Sequence, residues 1–176
     1  MNIEMQEKLE KLLNAYSHQY DIDRDVTVEG GSFPATATFY LRDENYLISK
    51  KHVLSAVENY DYTYFYVTDH LDAATLRQQI DLTMKVGGAR VKPHREHMSS
   101  FVTLVILADT IDEEAKKIIK KTRFQKYFRL ALHGWMEYHI AAMECSTNSF
   151  LSNPAGKGEK KTLEQNLGSG GKSKGE

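Results

Sequence analysis

The run Ser-Phe-Val-Thr-Leu-Val-Ile-Leu-Ala at 100–108 constrains this chain more than any other feature. Read as a strand, it is apolar on both faces. A strand of that kind belongs at the centre of a sheet, covered on both sides. The rest of the chain must supply the cover.

Residues 3–20 read as an amphipathic helix, with Ile3, Leu9, Leu12, Leu13 and Tyr16 near 3.6-residue spacing. Asp21 to Gly31 is acidic and ends in a Gly pair, which reads as a loop. The segments 36–41 and 45–49 flank Arg42-Asp43-Glu44, the pattern of a hairpin. Residues 59–68 alternate, with Tyr60, Tyr62, Tyr64 and Tyr66 on one face of a strand. Asp69 or Asp72 can cap a helix over about 72–86, which Gly87-Gly88 would stop. A second helix is expected over about 111–121, acidic in its first turn and basic in its last. The segments 124–132 and 135–144 then close a hairpin around His133-Gly134. The order is α-β-β-β-α-β-α-β-β. It implies an α+β fold with a mixed, largely antiparallel sheet of five or six strands and helices packed on it. One domain is expected over 1–152. A polar, mostly disordered tail is expected over 153–176, with a weak helix near 160–167.

The net charge of −1 hides a segregation. Residues 84–130 carry a net +6 and residues 1–81 a net −7. Such a split suggests an anionic partner or a charged contact between copies. Hydrophobic content of 41% and charged content of 27% are ordinary for a globular protein. The single cysteine, Cys145, cannot form an internal disulfide, which argues for a reducing compartment. The N-terminus has no signal-peptide pattern, and the longest apolar stretch is too short to span a bilayer. A cytoplasmic protein with no membrane partner is expected.

Three candidate sites emerge. Lys85, Gly87, Gly88, Arg90, Lys92 and Arg95, joined by Lys120 and Arg123, could hold an anion through backbone amides and basic side chains. The plain alternative is a solvated crossover loop. His94 and His97, with Asp109, His52 or His139 as a third ligand, could hold a divalent metal. Loop histidines near arginines are more often solvent-facing. The third site depends on the register of the last hairpin. A three-residue turn at Leu132-His133-Gly134 pairs Arg129 with Glu137 and Tyr127 with His139, giving a polar face of Tyr127, Arg129, Glu137 and His139. The tyrosine stripe could stack bases; the plain reading is that helices pack on its rings.

At Glu96–Asp109 (EHMSSFVTLVILAD) and around His133-Gly134-Trp135, and again at Asn153 to Gly156, the chain resembles a family of small uncharacterised bacterial proteins. The resemblance implies a compact bacterial cytoplasmic domain and brings no known reaction, cofactor or catalytic residue.

The leading expectation is a non-catalytic binding module, with no cofactor, whose basic surface meets nucleic acid, an acidic protein surface or the acidic half of another copy. The last would give salt-sensitive self-association. The alternative is a metal-dependent hydrolase or nuclease-like enzyme, since a helix, three strands, a helix and a strand is also the order of restriction-endonuclease-like folds. That chemistry needs an acid-x-Lys triplet on a strand. The triplets here are Glu114-Ala115-Lys116, on an expected helix, and Glu159-Lys160-Lys161, in the expected tail.

Overall fold

In the computed structural model, which describes residues 3–46 and 53–168, the elements are α1 (Ile3–Tyr16), β1 (Asp21–Val28), β2 (Gly31–Tyr46), β3 (Val53–Leu71), α2 (Ala73–Arg90), β4 (His97–Ile111), α3 (Glu113–Lys121), β5 (Gln125–Tyr127), β6 (Trp135–Glu144), β7 (Ser149–Ser152) and α4 (Lys157–Leu167). The fold is α+β, with one mixed sheet of seven strands in the order β1-β2-β3-β4-β6-β5; β7 pairs with β6 beyond β5. β3, β4 and β6 are parallel and every other pair is antiparallel.

The apolar run occupies the middle of the sheet, as its composition demands. Val102, Leu104, Ile106 and Ala108 face one layer with Leu76 of α2 and with Ala115 and Ile119 of α3. Val105 and Leu107 face the other, with Leu9, Leu12 and Leu13 of α1 and with Leu163 and Leu167 of α4. All six strand residues are at most 1% exposed. The tyrosine stripe packs as the plain reading holds, Tyr62 and Tyr64 lying buried in the first layer.

Several expectations need correction. Asp21–Val28 is an edge strand, not a loop. Its Ile22, Val26 and Val28 are half-buried, while Asp21, Asp23 and Asp25 point to solvent, a charged edge that discourages further pairing. Arg42-Asp43-Glu44 is no turn, because β2 runs through it in register with Glu58, Val57 and Ala56. The expected strand residues 47–49 lie outside the described residues. Helix α2 does not stop at the Gly pair but continues to Arg90. Its N-cap is Asp72, which accepts from Thr75 N at 2.7 Å. Gly87 serves close approach instead, since a Cβ there would lie 2.5 Å from Val102 Cγ1.

The last hairpin also differs. β5 has three residues, and Tyr127 pairs with Trp135 and Gln125 with Glu137, so neither expected partner of Glu137 or His139 is met. The reason is a seven-residue turn, Phe128 to Gly134. Arg129, Leu130 and Ala131 are left-handed at φ of 47°, 54° and 69°. Each such residue costs about 1–2 kcal/mol without glycine. Backbone bonds hold the turn, including Phe128 N to Gly134 O at 2.9 Å and Leu132 N to Arg129 O at 3.0 Å.

The helix expected near 160–167 is present as α4, and it starts earlier, at Lys157. Leu163 and Leu167 bury against α1, about 1.5–3 kcal/mol each for such side chains. Asn153 fixes the entry. It is 1% exposed, its Oδ1 accepts from Ile140 N (2.9 Å) and Gly156 N (2.8 Å), and its Nδ2 donates to Tyr138 O (2.8 Å) and Thr122 O (3.3 Å). Residues 169–176 lie outside the described residues.

Candidate functional site

Both parallel crossovers leave from the C-terminal ends of their strands and return through loops at the other end of the sheet. The loop 91–96 enters β4 and the turn 128–134 enters β6, and these strands are neighbours with Ser99 opposite Trp135. The two basic segments of the sequence therefore partly meet at this end. Lys92 and Arg95 lie in the first loop, Lys126 on β5 and Arg129 in the turn; all four are exposed and make no ion pair among the described residues. Lys126 Nζ instead lies 5.5 Å from the centroid of Phe128.

Beneath these cations runs a row of rings crossing the sheet. Tyr40 packs on Tyr60 at 4.9 Å between centroids, Tyr60 on His97 at 6.3 Å, and His97 on Phe128 at 5.9 Å. Glu58, 6% exposed, anchors the row. Its carboxylate accepts from Tyr60 Oη at 2.8 Å, Tyr40 Oη at 3.1 Å and Arg42 Nη1 at 3.0 Å, and His94 Nε2 lies 3.0 Å away. Burial pushes the Glu58 carboxyl up, but the two tyrosine hydroxyls with His94 and Arg42 outweigh it and hold the group below its usual range. Arg42 also reaches Glu96 at 3.0 Å.

His97 clasps the two loops together. Its Nδ1 donates to His133 O at 2.7 Å, which leaves Nε2 to accept from the Ser100 hydroxyl at 2.8 Å. Burial lowers the imidazole's pKa and favours this neutral form. Serine, histidine and carbonyl here have the connectivity of a nucleophile, its base and an orienting group. Ser100 is 0% exposed and His97 3%, so no substrate carbonyl reaches the hydroxyl, and the arrangement is a structural clasp.

The other members of the anion set disperse. Gly87 and Gly88 lie inside α2, where helical bonding occupies their amides, so they cradle nothing. Lys85 pairs with Glu29 at 3.3 Å. Arg90 covers the Tyr62 ring at 4.2 Å and donates to Thr38 Oγ1 at 3.0 Å. Lys120 lines a groove with Lys157 and Lys160 at the sheet edge, and Arg123 donates to Lys121 O. Lys116, from the same run, is held at the opposite end of the sheet by Glu144 at 3.0 Å.

The metal set does not converge. Asp109 lies toward the far end of β4, roughly 40 Å of extended strand from His97. His52 lies outside the described residues. Among the described residues no group of three or more His, Cys, Asp or Glu could hold a metal ion. Both acid-x-Lys triplets sit on helices, α3 and α4.

The polar hairpin face is likewise not assembled. Tyr127 and Arg129 are exposed, whereas His139 is 7% exposed on the α1/α4 side. There its Nδ1 donates to Glu159 Oε1 at 2.8 Å, its Nε2 lies 3.4 Å from Glu137 Oε2, and Phe101 stacks on it at 4.7 Å. Burial lowers the imidazole's pKa, but Glu159 and Glu137 outweigh burial and raise it overall. Nearby Asp61, 7% exposed, accepts from Tyr20 Oη at 2.8 Å and from Thr63 and Thr103 at 3.1 Å; burial raises its pKa. Glu159 also lines a cavity of about 190 Å³ with Tyr16, Gln19, Tyr20 and Thr162. Sequence reasoning passed over Glu58 and Asp61, and weighed Glu159 only within an acid-x-Lys triplet. The readable signal for the first two was an acid inside a strand of alternating aromatics.

No helix is long and apolar enough to cross a membrane among the described residues. No curated protein and no solved structure matches the chain. The profile of a domain of unknown function (DUF8052) matches residues 4–165, and the chain belongs to that family.

Proposed function

We propose that this protein is a non-catalytic binding module whose basic end, where β4 and β6 begin, meets an anionic partner. One observation carries the reading: Lys92, Arg95, Lys126 and Arg129 come from two distant chain segments, share one end of the sheet and have no acidic partner among the described residues. Unpaired cations clustered in this way raise the local concentration of anions and give salt-dependent association. The groups that could have supported an enzyme are buried, as Ser100 is, or separated, as His94 and Asp109 are.

Retention on a heparin column and single-strand DNA binding across a salt series test the proposal. Four engaged cations give a log–log salt slope of about −3 on single strands. Changing all four to Glu should abolish retention, while Lys117→Glu with Lys121→Glu should leave most of it. No retention at low salt, or equal loss with both variants, would remove the proposal. A second copy is also a partner of the right charge, because the opposite sheet edge carries exposed Asp21, Asp23 and Asp25. Sedimentation that changes with salt would identify that case.

A further inference from the structure

Eight large apolar side chains stand exposed among the described residues. Apart from Ile3, all lie at the end of the sheet where β4 and β6 begin, Tyr40 and Leu41 on the stretch of β2 that extends past its pairing with β1. The extremes are Leu130 at 96% and Leu132 at 76%, with Tyr127 at 57% and Met98 at 41%. Both leucines belong to the turn with three consecutive left-handed residues. That turn is not slack. Its own backbone bonds close it, His97 holds His133 O, and Gly134 packs so tightly that a Cβ there would lie 2.2 Å from Met98 O. A strained, rigidly held turn that places two leucines in solvent points to function. The flanking cations Lys126, Arg129, Arg95 and Lys92 say what chemistry would receive them.

We infer that this end docks on an anionic lipid bilayer, with Leu130 and Leu132 entering the headgroup–acyl boundary and the four cations contacting acidic headgroups. The inference rests on the basic-face reading and names its partner. Nucleic acid satisfies the cations but offers no apolar receptacle for two aliphatic tips. An acidic protein would need a preformed groove to take leucines that project this far. A bilayer accepts both features at once, with aliphatic side chains in its boundary region, Tyr127 at headgroup level and Lys or Arg against anionic lipid. No membrane-length apolar run announces this surface, because the exposure of single leucines is set only by the turn.

Co-sedimentation of the full chain with vesicles of phosphatidylcholine alone, or with about a third phosphatidylserine, tests the inference beside a heparin titration. Binding to the anionic vesicles only is expected. Leu130→Ser with Leu132→Ser should weaken it at least tenfold and leave heparin affinity unchanged; both side chains are exposed, so the fold is not at stake. Heparin or DNA binding without vesicle binding would overturn the bilayer and leave the basic face standing. Binding to neither would overturn both. Vesicle binding that the double serine variant retains would overturn the insertion of the turn.

Discussion

The adjacent glycines of α2 should respond to the same substitution with opposite signs. In Gly87→Ala the new methyl would lie 2.5 Å from Val102 Cγ1, 3.1 Å from Val102 Cγ2 and 3.2 Å from Tyr64 Cε2. Val102 is fully buried in the middle strand and β-branched, so it has no free rotamer to escape into. Tyr64 is 3% exposed beneath the same helix. Overpacking of this kind costs about 1–3 kcal/mol, against a gain of about 0.5–1 kcal/mol from removing a helical glycine. The net is a loss of about 1–2 kcal/mol. In Gly88→Ala the nearest atom is Met136 Cε at 3.7 Å, an ordinary contact with the flexible end of a side chain, so only the gain remains. The two variants should therefore differ by about 2 kcal/mol, or about 4–8 °C in Tm for a protein of this size. Urea unfolding with an unchanged m-value measures the difference as a shift in midpoint. If Gly87→Ala is as stable as the parent, or if both variants move the same way, α2 does not lie this close to β4, and a loop at the Gly pair is the better description.

Asn153→Ala should lower stability by about 2–4 kcal/mol, because the buried amides of Ile140 and Gly156 both lose their acceptor; urea unfolding that shows under 1 kcal/mol would mean water replaces the side chain. Glu144, 5% exposed, takes bonds from Ile111 N at 2.8 Å, Thr147 Oγ1 at 2.7 Å and Lys116 Nζ at 3.0 Å. Burial pushes its carboxyl up, but these partners outweigh burial and bring it down to about 2. A depressed carboxyl stabilises fully above its unfolded value near 4.5, and that stability is lost as pH falls from there toward 2. Glu144→Gln should flatten this part of the pH–stability curve, and an unaltered slope would count against the assignment.

What the sequence made legible was what strong local patterns carry. The apolar run placed β4 in the centre, the tyrosine alternation located β3, and the charge polarity of 113–121 marked α3. What it hid was tertiary. Asp21–Val28 looked like a loop because an edge strand wears its charges outward. Gly87 looked like a helix stop because only the facing Val102 explains it. Residues 160–167 read only as a weak helix within a polar tail, because two leucines are a weak signal until α1 and Asn153 receive them. The site divided in the same way. Segregated charge was visible in composition, but which cations remain unpaired depended on Glu29, Tyr62 and Glu144, all remote in sequence. The last hairpin failed because side-chain pairing argued for a short turn, while the backbone adopted three left-handed residues that no glycine announces.

The position of β4 between two parallel neighbours bears on how the molecule folds. β1, β2 and β3 form a meander whose pairings need only local closure, but β4 meets β3, and β6 meets β4, through segments roughly forty residues apart in the chain. The loop entropy of both crossovers must be spent before the central strand gains either partner. The meander is therefore the element able to form first. The apolar residues of β4, which join both core layers, are therefore expected to be secured after the meander, at the step that limits the folding rate.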